Sequence, residues 1–175
     1  MGYRRNHVLE RYTPAEAEVV TGVNVVLQRD WRRRGLLPET GGGHARYTAS
    51  ELAEMVLMQD FAREGLGPKT LKDMLGTARD PLGLWVESVA WVEGVTDVEN
   101  AIPQSQLPAR YVVLAGGHAI STADLNETFE ALPDGADRRF AFVCNLRSVA
   151  EYVVTKVPRP VWRRVQPETG KAVVQ

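Results

Sequence analysis

The residues best equipped for chemistry lie close together. Arg29, Arg32, Arg33 and Arg34 fall within six positions, with Gln28 ahead of them and one acid, Asp30, among them. A guanidinium donates two parallel hydrogen bonds to guanine O6 and N7 or to a phosphate, and a glutamine amide pairs in the same way with adenine. This is an inventory for polar recognition, and nothing in it makes or breaks a covalent bond. The groups that could do so are scattered: His7, His44, His118 and the single cysteine, Cys144, have no metal-ligand spacing between them. No metal, no cofactor and no catalytic residue is therefore expected. Gly116-Gly117-His118 follows an apolar run but lacks the glycine spacing of a dinucleotide or phosphate loop, and reads as a turn. His118 has no neighbouring carboxylate or serine, and Cys144 in an apolar segment reads as core, so the chain is not expected to be an enzyme.

Composition sets the frame around these residues. With 44% hydrophobic and 25% charged residues the chain is that of an ordinary globular protein, and its net charge of −1 argues against indiscriminate coating of nucleic acid. The first 79 residues carry 12 Lys+Arg against 10 Asp+Glu, the remainder 9 against 12, so positive charge is focused towards the N-terminal end. No stretch reaches the roughly 18 apolar residues of a membrane span, and the N-terminus lacks the apolar core of a secretory signal. A cytoplasmic, nucleoid-associated protein with no membrane contact is expected.

The arginines need a scaffold, and the punctuation around them supplies one. Thr13-Pro14-Ala15-Glu16 is a capping box with proline at the first helical position, so a short helix begins at Pro14 and runs to about Val20, where Gly22 turns the chain. Asn24 then caps a second helix that continues to Arg34, before Gly35 and Pro38. Two short helices across a glycine turn make a helix-turn-helix. At about 100° per residue the second helix gathers Val23, Leu27 and Trp31 inward and presents Val25, Gln28, Arg29, Arg32 and Arg33 outward. A solvated helix face is the commoner meaning of an arginine run, but on the second helix of this motif DNA contact takes precedence. Residues 36–47 read as two extended pieces around Gly41-Gly42-Gly43, a hairpin wing over 38–47, whose returning arm brings His44, Arg46 and Tyr47 towards a phosphate. Thr48-Ala49-Ser50-Glu51 opens a longer helix to about Glu64, and Pro68 to Leu75 gives a further short one before Gly76.

Together these residues resemble the DNA-binding domain of the MerR family of transcriptional regulators. The resemblance runs from Tyr12 to about Leu75 and rests on several segments. They are Tyr12-Thr13, Thr21-Gly22-Val23, Arg29 and Trp31, Arg33-Arg34-Gly35-Leu36-Leu37-Pro38, Arg46-Tyr47-Thr48 and Gly65-Leu66. It implies a recognition helix in the major groove carrying Arg29, a wing over the flanking backbone, and Arg46 and Tyr47 on phosphate. The family places a leucine before that arginine and a tyrosine after it, where an ungapped match puts Gln28 and Asp30. Since the helical face turns Gln28 outward and Leu27 inward, the match inside this helix is expected to be imperfect by one position, which leaves open which arginine reads a base. Many members continue into a long antiparallel coiled-coil helix that forms the dimer. No such helix is legible here: Pro81 to Val92, with Trp85 and Val89, reads as about three turns bounded by Gly94.

Beyond residue 79 a second, small α+β domain is expected over 80–175. Arg110–Ala115 and Arg139–Cys144 read as buried strands. Ser121-Thr122-Ala123-Asp124 starts a helix to about Leu132, and Arg147–Lys156 forms another. Trp85, Trp91 and Trp162 could line a subunit interface or simply pack a core. The fold class is thus a mainly α N-terminal winged helix-turn-helix followed by a small α+β domain with a dimerisation or sensing role. The function that fits is a sequence-specific, double-stranded DNA-binding transcriptional regulator. Asn24, Val25, Gln28, Arg29, Arg32, Arg33, His44, Arg46 and Tyr47 form its DNA-binding set. It would act as a homo-oligomer, a dimer or a cooperative array, with a small-molecule or protein effector on the second half. An excisionase-like or architectural DNA-bending factor is the alternative, and a protein-interaction module without DNA binding is a weaker one.

Overall fold

The computed structural model describes residues 7–39, 44–94, 109–128, 130, 132–133 and 139–164. The helix-turn-helix forms as its punctuation dictates. Helix α1 spans Pro14–Thr21, with the Thr13 hydroxyl accepting from Glu16 N and the Glu16 carboxylate accepting from Thr13 N at 2.7 Å, the reciprocal capping box. Gly22 follows in the left-handed region at φ 72°, a conformation that a Cβ would strain. Across the turn the Thr21 hydroxyl donates to Ala17 O and accepts from Val23 N. Helix α2 spans Val25–Arg33, capped by Asn24 Oδ1 accepting from Leu27 N at 2.8 Å. Helix α3 spans Ala49–Arg63 behind a second complete capping box at Thr48 and Glu51. Helices α2 and α3 both close in Schellman fashion, Leu36 N donating to Trp31 O at 2.9 Å and Leu66 N to Phe61 O at 3.1 Å.

The two short helices expected over Pro68–Leu75 and Pro81–Val92 are one helix, α4, of 27 residues from Pro68 to Gly94, running through Gly76, Pro81 and the 79/80 point where a second domain was expected to begin. Its buried positions, Leu71, Met74, Leu75, Ala78, Leu82, Trp85, Val86, Val89 and Ala90, form one continuous stripe. Each such side chain stabilises by about 1.5–3 kcal/mol on burial, and together they outweigh the roughly 1 kcal/mol cost of a helical glycine and roughly 3 kcal/mol of a helical proline.

The second half supplies what covers that stripe. Strand β2 (Tyr111–Ala115) is the centre of a three-stranded antiparallel sheet, flanked by β3 (His118–Thr122) and β4 (Ala141–Asn145). Gly116 and Gly117, both at positive φ, make the two-residue turn between β2 and β3, so the glycine pair is the turn that its context indicated. The helix expected from Ser121 to Leu132 is corrected accordingly: Ser121 and Thr122 belong to β3, and α5 spans Leu125–Thr128. Helix α6 (Leu146–Lys156) packs along α4 and reaches α3. The chain closes with β5 (Trp162–Arg164), antiparallel to β1 (His7–Leu9), a two-stranded sheet that joins the two ends of the described structure. One core runs through all of this, from Tyr12, Trp31 and Leu52 to Trp85, Leu114, Leu146 and Val161. Trp85 is part of it: its indole N–H donates to Ala109 O at 3.1 Å and the Arg147 guanidinium lies over its ring.

Candidate nucleic-acid interface

Helix α2 is held in place from beneath by one amide. Gln28, expected to face outward, is 1% exposed: its Nε2 donates to Pro14 O at 3.0 Å and to Val23 O at 2.8 Å, tying α2 to the start of α1 and to the turn. The inward line is therefore Val23, Gln28 and Trp31, with Leu27 only half-buried, and the helix is rotated from the face that hydropathy alone selects. A buried polar group is retained only where it is hydrogen-bonded, and the Pro14 and Val23 carbonyls accept from the Gln28 amide nitrogen. Gln28 is thus corrected from a base-reading side chain to a structural one. With Gln28 buried, the helical-face reason for an offset in the resemblance falls away.

With α2 so oriented, two rows of side chains face out. Val26, Arg29 and Arg33, at spacings of three and four, form the outer ridge; Val26 is 74% exposed and both arginines are exposed. Val25, Arg29 and Arg32 form the flank towards the segment after the glycines. There they line a recess of about 320 Å³ together with His44 and Arg46. Arginines 29, 32 and 46 around one concavity concentrate positive potential where a polyanion would enter. Arg32 Nη2 donates to the Tyr47 hydroxyl, and its guanidinium stands 5.6 Å from the centre of the Tyr47 ring. Its Nε, like Gln28 Oε1, is buried with no hydrogen-bond partner among the described residues.

Other members of the expected set take other places. Asn24 spends its side chain on the cap of α2. Arg33 donates to Asp30, and Arg34 Nε lies 2.7 Å from the other oxygen of the same carboxylate, so Asp30 draws the end of the arginine run to itself. Tyr47 is 3% exposed; its backbone pairs with Tyr12 in an isolated antiparallel bridge, and burial raises its phenol above the ordinary tyrosine range. Its hydroxyl positions Arg32. The tip expected for the wing, residues 40–43, lies outside the described residues, and the flanks at 36–39 and 44–46 form no strand.

Val26 was not singled out by the sequence reading. The signal available was the leucine that the resemblance carries at position 28, since an apolar residue facing inward there turns position 26 outward.

Away from this face, Cys144 lies in a recess of about 590 Å³ between α1, α3, β4 and α6, where burial pushes its thiol up to about 11 and keeps it from acting as a nucleophile near neutrality. Among the described residues, no three His, Cys, Asp or Glu side chains gather as a metal-binding group, and no helix is long and apolar enough to cross a membrane.

No curated protein matches the chain. Residues 12–77 match the family described as MerR HTH family regulatory protein, which covers α1, α2, α3 and the first part of α4. The exposed guanidinium ridge on the second helix and the two capping boxes lie within this match, and the N-terminal part of the chain is similar to the helix-turn-helix of MerR family regulatory proteins.

Proposed function

We propose that the protein is a non-enzymatic, sequence-specific transcriptional regulator that places α2 in the major groove of double-stranded DNA. The observation that carries this reading is the convergence of Arg29 and Arg32 of α2 with His44 and Arg46 on one recess, beside an exposed ridge on the same helix. Arg29 stands where ridge and recess meet, within reach of base edges. Arg32, Arg46 and His44 line the flank suited to the phosphate backbone, and residues 38–47 act as the wing beside it. One such reader covers a single half-site, so two copies, as a dimer or a cooperative array, bind together. The second half packs on α3 and α4 and touches α1 through α6, and would carry an effector or partner signal to the reader.

The test uses the full chain and duplexes enriched from a random pool. Arg29→Ala with Arg46→Ala should weaken binding at least tenfold and flatten the dependence of affinity on salt by roughly one unit of slope for each phosphate contact removed. Both residues are exposed, so circular dichroism should be unchanged. Equal affinity and equal salt slope in the double variant would remove the reading.

A further inference from the structure

The outer ridge of α2 has an apolar end. Val26 sits in the first turn at 74% exposure, with Arg29 and Arg33 following it along the helix. Solvent gives no reason for a valine there: its branched Cβ disfavours helix, and its methyl groups gain nothing from water. Nor is the exposure a consequence of misfit elsewhere, because Asn24 caps the helix two residues before it and Gln28 fixes the helix rotation from the opposite side. The residues in the first turn of a recognition helix are those that come closest to base edges, and in the major groove the only apolar group on any base pair is the 5-methyl of thymine. Neither a phosphate nor a guanine edge offers valine a favourable contact.

We infer that Val26 is a specificity-determining residue that packs its methyl groups on the 5-methyl of a thymine in each half-site, while Arg29, one turn on, makes the adjacent polar contact. The inference rests on the DNA-binding reading above, and it adds a base identity to it. Removing one methyl from such a contact costs roughly three- to fivefold in affinity, the worth of about one buried methylene.

The experiment enriches bound duplexes with the full chain and then replaces each thymine of the preferred site, one at a time, with deoxyuridine, which removes the methyl group and leaves every hydrogen-bonding atom. At one thymine per half-site the replacement should weaken binding three- to fivefold. Val26→Ala should bind the thymine and deoxyuridine versions of that position equally well, and still respond to substitutions under Arg29. Alanine is the better helix former and the site is exposed, so the variant folds. Indifference of the wild-type protein to every deoxyuridine, or discrimination that persists in Val26→Ala, overturns the inference and leaves the DNA-binding reading intact. Failure to enrich any duplex overturns both.

Discussion

A single buried amide decides which side chains α2 offers. Gln28 Nε2 bridges the carbonyls of Pro14 and Val23, and no apolar side chain of similar size could satisfy either. Gln28→Ala should therefore remove two hydrogen bonds to these carbonyls and open a small cavity, lowering stability to urea by about 2 kcal/mol. Because the same bonds orient the ridge, the variant should also lose DNA affinity without losing any contact that Arg29 itself makes. A stability within 0.5 kcal/mol of wild type, roughly the scatter of an ordinary surface change, would show that the amide is not what seats the helix. Polarity alone assigns this residue the opposite role, since polar side chains usually face water. Its partners are 14 and 5 positions away, and nothing in local pattern pairs a side chain with carbonyls at those distances.

At the scale of elements, α4 is the instructive case. Gly76 and Pro81 are the residues that most often end a helix, yet the apolar stripe from Leu71 to Ala90 continues through them and overrules both. Gly76 is exposed, and a Cβ built on it would meet nothing within 4 Å. Gly76→Ala should then stabilise the protein by about 0.5–1 kcal/mol, read as a rise in Tm of roughly 2–4 °C. A fall in Tm would mean that the helix is not continuous at this point. By contrast, the caps of α1, α2 and α3 were legible residue by residue, because capping boxes and cap–glycine signals act within four positions. The hairpin turn at Gly116-Gly117 was legible for the same reason, while the strand β3 that follows it was not: His118–Thr122 has weak alternation and becomes a strand by pairing with β2.

At the scale of the molecule, the apolar stripe of the long helix α4 is covered within the same chain by α3, α6 and the sheet. The two ends of the described residues are likewise joined, and Arg159 is the clasp. Its guanidinium lies 4.8 Å from the centre of the Tyr12 ring, pairs with Glu16, and reaches Glu10 at 3.3 Å, while Tyr12 Oη donates back to Arg159 O. These contacts hold the Glu16 carboxyl down at about 2, with the Arg159 hydrogen bond the largest cause, and Arg163 and Arg159 lower Glu10 too. A carboxylate lowered in the folded state contributes stability above its unfolded value of about 4.5 and loses it as pH falls towards its folded value. Arg159→Ala should thus lower Tm at pH 7, and the gap to wild type should narrow as pH falls from about 5 towards 2. A gap that stays constant across that range would show that the clasp acts through packing on Tyr12 alone.

The sequence by itself determined the helix-turn-helix, its caps, the turn glycines, the MerR resemblance and the cationic character of α2, because each is written in contacts between residues a few positions apart. Only the tertiary structure decided the rotation of α2, the continuity of α4, the pairing of β1 with β5 and the cover that α6 lays over α4. Those depend on partners from five to more than a hundred positions distant, such as Val23 on Gln28 and Arg159 on Glu16. Local propensity is a weak prior against the free energy of burying a whole apolar stripe, and it carries no information about which distant carbonyl or carboxylate a buried polar group will find.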